Sequence, residues 1–271
     1  MTVRIEKDRA VWTIIHDRPE ARNAMDPASA DALTAAFLAF DAEKTASVAV
    51  FYGAGGAFCA GWDLKYVNTL DDKHPLDELD IPVAGPRGNG AEIPRGPLGP
   101  SRLELDKPVI AAIEGPAVAG GMELGLWCDF RVMAKSAYFG VYCRRWGVPL
   151  IDGGTVRLPR IVGQGRALEI ILTGRKVPAE ECLSIGLCEY VTPEGGARAK
   201  AEALAREIAR FPQVGVRADR RSAIRSHGLA TRDALIQEWY NGREALAKDG
   251  IAGATRFKDG LGRHGDFDKI R

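Results

Sequence analysis

The chain has 271 residues, enough for one large domain, or one domain with an appendage, around a sizeable core. Its composition, 46% hydrophobic and 27% charged, is that of a globular protein. The 37 basic and 36 acidic residues leave a formal charge of +1, which offers no basic footprint for nucleic acid or for an anionic membrane, and no apolar run approaches the about 20 residues that span a bilayer.

Predicted strands and helices alternate over the first two thirds of the chain, and helices alone follow. Short apolar runs predict strands at residues 3–5, 11–15, 47–52, 108–113, 129–134, 137–139 and 187–191. Helical spacing and capping signals predict helices at residues 28–41, 63–70, 155–162, 166–173, 178–185, 197–211, 212–225, 231–248 and 252–258, and a short one opening at Gly120. This order indicates an α/β core, residues 1–195, and a helical C-terminal region, residues 196–271.

Residues 74–101 are rich in proline and glycine and carry no helix or strand pattern. A loop this long is typical of a functional lid or of a disordered segment. We interpret it as a mobile flap near a binding cleft, because glycine-rich elements flank it in the sequence. A plain surface insertion is the alternative interpretation.

The stretch AVAGGMELGLWCD, residues 117–129, follows an apolar strand and opens a predicted helix. Gly120 and Gly121 allow another backbone or a ligand to come close. The first N–H groups of a helix have no partner inside it, so they can hold a developing negative charge. Glu123 lies about one turn further on. The stretch therefore offers an anion donor beside a carboxylate; the alternative is a buried helix in which Glu123 makes a structural hydrogen bond.

The cysteine and histidine residues predict reduced thiols and no metal site. Five cysteines are an odd number, no Cys-x-x-Cys pair or Cys/His cluster occurs, and four histidines are scattered along the chain. The N-terminus has the charge pattern of a strand start and not of a secretion signal. We therefore expect a cytoplasmic protein.

Several segments together resemble one family. They are ARNAM (residues 21–25), AFCAGWDL (57–64), KPVIAAIEGPAVAGGMEL (107–124), FG (139–140), DGGTVRL (152–158), LTGRK (172–176) and GLCEYV (186–191). In order and spacing they resemble the crotonase superfamily, the enoyl-CoA hydratase/isomerase family. The resemblance spans roughly residues 3–260 and is more specific than a lone glycine motif.

The resemblance implies a crotonase (ClpP-like) spiral of ββα repeats, followed by a C-terminal helical region that joins a homotrimer or a dimer of trimers. It also implies an acyl-CoA thioester substrate, with no cofactor besides the coenzyme A of the substrate. The thioester oxygen would lie in an oxyanion hole made by the backbone N–H groups of Trp62 and Gly120, because two fixed donors stabilise an enolate-like anion. The adjoining Ala60, Gly61 and Gly121 are predicted to contact the substrate.

The carboxylates decide which reaction the resemblance implies. Family hydratases use two glutamates that share one water. Glu123 matches the first, whereas Cys143 stands where the second is expected, which puts standard hydration in doubt. A thiol, with a pKa of about 8.5, is a poor substitute for a carboxylate. Cys143 is therefore either an inert thiol that lines the substrate pocket or a thiol activated by Arg144 and Arg145.

Asp152, before a Gly-Gly pair, is the candidate for a second catalytic group, since some relatives carry a catalytic acidic residue in this turn. The alternative is that Asp152 caps the following helix. Arg22 and Asn23 lie in the segment that resembles the coenzyme A site, and Arg22 is suited to phosphate; a solvated connector is the alternative. The Trp62 ring either lines the pocket or packs, and Asp63 is interpreted as structural.

Three functions compete at this point. The first is an acyl-CoA enzyme of the enoyl-CoA hydratase/isomerase type, a lyase or isomerase of fatty acid metabolism, in which Glu123, and Asp152 with it, transfers protons. The second is thioester hydrolysis, decarboxylation or dehalogenation that uses Asp152. The third is a non-catalytic relative that binds acyl-CoA or a protein. Glu123 together with both glycine loops favours the first.

Overall fold

A computed structural model describes residues 2–70, 76–81 and 94–262. The strands in the described residues are β1 (Val3–Asp8), β2 (Val11–His16), β3 (Val48–Gly53), β4 (Val109–Ile113), β5 (Pro116–Val118), β6 (Phe130–Ala134), β7 (Tyr138–Gly140), β8 (Lys176–Pro178) and β9 (Tyr190–Thr192). The α-helices there are α1 (Pro27–Ala42), α2 (Leu64–Val67), α3 (Gly120–Trp127), α4 (Gly154–Val162), α5 (Gln164–Thr173), α6 (Ala179–Ser184), α7 (Ala197–Ala209), α8 (Gln213–Arg225), α9 (Thr231–Ala245) and α10 (Ile251–Lys258). None of these helices is long and apolar enough to cross a membrane.

The core contains two β-sheets. The first has six strands in the order β1-β2-β3-β4-β6-β9, and only the β1–β2 pair is antiparallel. The second has the order β5-β7-β8, with β5 and β7 parallel. Successive ββα units, β4-β5-α3 and β6-β7-α4, therefore place one strand in each sheet before their helix. Helices α1 and α7 pack against strands of the first sheet, which explains why β3 is almost wholly buried and apolar.

The first helix is fixed at both ends. Asp26 accepts a hydrogen bond from the Ser29 N–H at 2.8 Å, and Pro27 occupies the first helical turn. At the other end, the buried Lys107 ammonium donates to the Phe40 carbonyl at 2.9 Å. A cation at a helix C-terminus complements the helix dipole. Lys107 therefore joins the end of α1 to β4, the strand that begins two residues after Lys107.

Two short strands were not predicted, and a third lies further along the chain than predicted. β5 and β8 have three residues each, too few for an alternating pattern to be visible. A strand was predicted over residues 187–191, but it forms at Tyr190–Thr192. The reason is that the N–H groups of Leu187 and Cys188 both donate to the Cys182 carbonyl, in the turn that closes α6.

The C-terminal helices divide into two groups by their contacts. α7 lies across β2, β3, β4 and β6, and its N-terminus donates to the Glu114 carboxylate through the N–H groups of Ala197 and Arg198. α8, α9 and α10 pack mainly among themselves, with a π-helical turn, Leu246–Gly250, between the last two. Arg220 joins α8 to the core through an ion pair of 2.8 Å with Asp129. The boundary at residue 195 stays a prediction.

The predicted flap, residues 74–101, lies partly outside the described residues. Its described parts include a 3₁₀ helix at Asp77–Leu79, a tight turn in which Gly96 and Gly99 exchange both backbone hydrogen bonds at 2.9 Å, and the start of a 3₁₀ helix at Pro100–Arg102. Leu98 and Ser101 are almost wholly buried. This second part of the segment belongs to the packed interior.

Candidate active site

Two loops far apart in sequence meet at a parallel bridge between Cys59 and Ala117. The Val118 N–H donates to the Cys59 carbonyl at 3.0 Å. The glycine-rich turn after β3 therefore runs beside β5, the strand that leads into α3.

Gly61 and Gly120 lie at a close approach between these loops. Gly61 has a φ of +88°, and a Cβ placed on it would lie 2.8 Å from the Ala119 Cβ and 3.0 Å from the Gly120 nitrogen. Ala119 itself, the N-cap of α3, has a φ of +54°, a conformation that costs a residue other than glycine about 1–3 kcal/mol. The chain thus carries backbone strain where it turns into α3.

The N–H groups of Trp62 and Gly120 are unengaged. Trp62 is bridged to Met25, but the two hydrogen bonds of that bridge join Met25 to Gly61 and to Asp63, at 2.7 and 2.9 Å. Gly120 is the first residue of α3, where an N–H has no partner inside the helix. Over the described ranges, neither N–H has a hydrogen-bond acceptor. This is the state that an oxyanion hole requires of its donors.

A cavity of about 540 Å³ lies in front of these groups. Its wall includes both predicted oxyanion residues, Trp62 and Gly120, and all three candidate reacting side chains, Glu123, Cys143 and Asp152. The remaining lining residues are five charged ones and eleven others that are mainly apolar. The charged ones are Arg18, Glu20, Arg22, Asp63 and Lys65, and the others are Ala21, Ala24, Ala60, Leu64, Leu98, Ala119, Tyr142, Trp146, Val148, Pro149 and Ile151.

Glu123 is 2% exposed and has one anchored and one unengaged oxygen. Its Oε1 accepts hydrogen bonds from the N–H groups of Asp152, at 2.9 Å, and of Gly154, at 2.7 Å. Its Oε2 has no hydrogen-bond partner in the described part of the chain. Burial first, and then the Asp152 charge, raise the pKa of Glu123 to about 7, against the opposing effects of the two N–H donors and of the Arg157 charge. The group is therefore both a structural acceptor and a base suited to neutral pH.

Asp152 does not cap α4, so that interpretation is wrong. The Asp152 carboxylate turns instead to the segment before β4: its Oδ1 accepts from the Leu98 N–H at 3.1 Å and from the Ser101 hydroxyl. The N–H of Gly154, at the start of α4, is satisfied by Glu123. Asp152 is 3% exposed, and burial raises its pKa, against the opposing effect of these hydrogen bonds.

Cys143 lies in the 3₁₀ helix Tyr142–Trp146 and is 6% exposed. Burial raises the pKa of its thiol, and the Glu123 charge adds to that effect. Arg144 acts in the opposite direction but does not prevail. The thiol is therefore protonated at neutral pH, which disfavours the activated-thiolate interpretation.

The predicted substrate-binding residues separate into two groups. Ala60 and Arg22 line the cavity, and the Arg22 guanidinium is exposed and has no partner among the described residues. Asn23, Gly61 and Gly121 are buried and do not line it.

Asn23 braces the first loop instead of reaching the substrate cavity. Its Nδ2 donates to the carbonyls of Ala54 and Ala57, and its Oδ1 accepts from the Arg18 N–H at 2.8 Å. Gly121 provides the close approach of α3 to the same loop, since a Cβ there would lie 2.0 Å from the Cys59 carbonyl oxygen.

Arg18 and Arg157 are polar residues that the sequence analysis missed. Arg18 pairs with Asp63 at 2.8 Å and donates to the Ala24 carbonyl, so Asp63 is held in a structural ion pair. Arg157 binds carbonyl oxygens of Asp152 and Ser101. No local motif marks these contacts; the DGGTVRL segment was the one available signal for Arg157.

No group of three or more potential metal ligands lies together in the described ranges.

Comparisons with known proteins agree with this architecture. The family model described as "Enoyl-CoA hydratase/isomerase" matches residues 6–77 and 101–256. The chain is 34% identical over 252 residues to enoyl-CoA hydratase EchA19 of Mycobacterium tuberculosis, covering 90% of this chain and 88% of that protein. It is 32% identical over 244 residues to the carnitinyl-CoA dehydratase of Salmonella arizonae, covering 88% and 84%.

A solved enoyl-CoA hydratase from Mycobacterium tuberculosis superposes with a TM-score of 0.83 at 32% identity, covering 95% of this chain and 96% of that one. The predicted crotonase spiral with helices at its C-terminus is therefore confirmed. The chain belongs to the enoyl-CoA hydratase/isomerase family of the crotonase superfamily.

Proposed function

We propose that the protein catalyses proton transfer on an acyl-CoA thioester, as a hydratase or dehydratase or as a double-bond isomerase. The observation that carries this proposal is the position of Glu123. Its carboxylate lies in the wall of the same cavity as the unengaged Gly120 N–H, three residues away on the same helix, and burial raises its pKa to about 7.

The thioester carbonyl oxygen is assigned to the N–H groups of Trp62 and Gly120. When a proton leaves the α-carbon, negative charge moves to this oxygen. Two fixed backbone donors, with one at a helix N-terminus, stabilise that charge without reorganising, and a single such donor is worth about 3 kcal/mol in comparable sites.

Glu123 is assigned as the base. A group with a pKa near the working pH exists in both protonation states, so it can remove a proton and return one. Its Oε1 is fixed by two N–H donors, which leaves Oε2 for the substrate.

Asp152 is assigned as the second proton-transfer group, in the absence of a carboxylate at Cys143. Its Oδ2 has no hydrogen-bond partner in the described part of the chain, and burial raises its pKa. If Asp152 protonates a β-hydroxyl that leaves as water while Glu123 takes the α-proton, the outcome is dehydration. If the proton taken by Glu123 returns at Cγ, the outcome is isomerisation.

The coenzyme A moiety is assigned to the polar side of the cavity, near Arg22. An exposed guanidinium without a partner is suited to a phosphate group. The acyl group then lies toward Val148, Pro149 and Ile151.

We also propose a cytoplasmic homotrimer or dimer of trimers with no cofactor of its own. The exposed apolar residues Trp239 and Tyr240 support assembly.

The competing functions that use Asp152 as a nucleophile are less well supported. A nucleophilic carboxylate must be ionised, whereas burial raises the pKa of Asp152 and so shifts it toward the protonated form that donates a proton.

The proposal is tested with three thioesters of one chain length, a 2-enoyl-, a 3-enoyl- and a 3-hydroxyacyl-CoA, incubated in heavy water. We expect conversion of at least one, with deuterium at Cα or Cγ of the product. Product with deuterium at Cγ identifies isomerisation, and exchange of water between the 2-enoyl and 3-hydroxy compounds identifies hydration. Release of free coenzyme A without carbon-bound deuterium would contradict the proposal and favour hydrolysis.

A further inference from the structure

Arg157 joins two elements of the site through carbonyl oxygens. Its Nη1 donates to the Asp152 carbonyl at 2.9 Å, and its Nη2 donates to the Ser101 carbonyl at 2.7 Å. The guanidinium lies so close to the turn before α4 that a Cβ on Gly153 would be 2.1 Å from Nη1. One side chain thus fastens that turn to the 3₁₀ helix at Pro100–Arg102.

Both candidate carboxylates depend on the turn that Arg157 fastens. Asp152 is in this turn and is bound by Leu98 and Ser101. Glu123 is held by the N–H groups of Asp152 and Gly154, which are the ends of the same turn. A displacement of the turn would therefore move both reacting groups at once.

The charge of Arg157 is not compensated by direct contact. In the described residues its nitrogens form no ion pair, and its side-chain hydrogen bonds go to carbonyls. Burial lowers the pKa of Arg157, and Arg160 adds to the lowering, while the charges of Glu123 and Asp152 oppose it. A guanidinium nonetheless stays protonated in proteins, so a permanent positive charge lies beside both carboxylates.

We propose that Arg157 is a positioning residue for the proposed proton transfer: it holds the Asp152–Gly154 turn in place and supplies the positive charge that keeps Glu123 available as a base. The inference rests on the proposed function for its kinetic consequences. Lysine preserves the charge but lacks the planar fork that reaches two carbonyl oxygens, so the two contributions can be separated by substitution.

The groups around the two carboxylates fix the direction of each effect. The pKa of Glu123 is raised by burial first and then by the Asp152 charge, and it is lowered by the N–H groups of Gly154 and Asp152 and by Arg157. The neutral Cys143 thiol lines the same cavity. Asp152 is influenced by burial first, and then by Ser101, the Leu98 N–H, Arg102 and Arg157, all of which lower its pKa, and it lies near the neutral Cys59 thiol. Removing the charge of Arg157 should raise the pKa of Glu123, and removing that of Asp152 should lower it.

The experiment measures the titration of the Glu123 carboxyl in the substrate-free protein. The ¹³C resonance of a glutamate-labelled chain is followed with pH and assigned by its loss in E123Q. In R157M we expect its midpoint to rise, because the charge of Arg157, which lowers the pKa of Glu123, is removed. In D152N we expect the midpoint to fall, and in R157K to stay near that of the wild type.

Kinetics provide the second measurement. In R157M the acidic limb of the kcat/KM profile, which reports the free enzyme, should move to higher pH by the same amount, while R157K should keep the limb and lose kcat through a less well-held turn. R160M is the matched control, because it removes a charge from the exposed face of the same helix, where solvent screens it, and should shift neither the resonance nor the limb.

An unshifted Glu123 midpoint in folded R157M would overturn the inference. If R157M does not fold, R157Q replaces it, since it also removes the charge, and is judged by the same midpoint. The titration needs no substrate, so it tests the effect of Arg157 on Glu123 independently of turnover. A wild type that converts no thioester would refute the proposed function, and the titration would still test the inference about Arg157.

Discussion

Replacing Glu123 with glutamine is expected to lower kcat by about 10²–10⁴-fold, the usual contribution of a positioned acid–base group. The glutamine oxygen can still accept from the N–H groups of Asp152 and Gly154, so the fold and the start of α4 are preserved. What is lost is the ability to take a proton. Steady-state kinetics on the converted thioester, with the affinity for coenzyme A measured by calorimetry, should show a loss in kcat and nearly unchanged binding.

The matched control is E114Q. Glu114 also accepts N–H groups at a helix start, those of Gly195, Ala197 and Arg198, but it does not line the cavity. E114Q should therefore turn over substrate like the wild type. Wild-type kcat in E123Q, with its structure intact, would remove Glu123 from the mechanism.

The second large effect is expected for G61A. The new methyl group would have to occupy a φ of +88° and would lie 2.8 Å from the Ala119 Cβ and 3.0 Å from the Gly120 nitrogen. The loop of Trp62 would be pushed away from α3, and the two N–H donors would no longer converge. We expect kcat to fall about 100-fold, as for misplacement or loss of one oxyanion donor, and the free energy of unfolding to fall by about 1–3 kcal/mol.

G56A separates backbone strain from collision. Gly56 lies in the same loop with a φ of +80°, but no neighbouring atom lies within 4 Å of the position of its Cβ. This variant should lose stability, measured by denaturant unfolding, while its kcat per folded molecule stays unchanged. Equal kcat losses in G56A and G61A would mean that loop strain, and not the distance between the two donors, limits catalysis.

Local signals predicted most of the helices. Asp26 with Pro27 marks the start of α1 through chemistry that acts within one turn. Gly120 and Glu123 are three residues apart on one helix, so their proximity follows from helix geometry alone. The three-residue strands β5 and β8 were not predictable in this way, because their pairing depends on strands elsewhere in the chain.

The contacts of Asp152 could not be predicted from the sequence. Its donor Leu98 is 54 residues away, in a segment whose composition indicates only a loop. Likewise, the capping role that was the alternative for Asp152 is filled by Glu123, which approaches from another helix. The motif predicted that Asn23 contacts the substrate, whereas its side-chain N–H groups donate to the carbonyls of Ala54 and Ala57 in the loop after β3. Tertiary contacts decide which polar residue of a motif faces the cavity.

The most direct test of the account is the exchange of α-protons of a saturated acyl-CoA in heavy water. Such a compound has no double bond to move and no hydroxyl to lose, so exchange reports only enolate formation at the oxyanion hole. We predict that the wild-type protein exchanges these protons at a rate that rises through an apparent pKa of about 7, the pKa of Glu123, and that E123Q shows only background exchange. Equal exchange by the wild type and E123Q, or none by the wild type, would contradict the account.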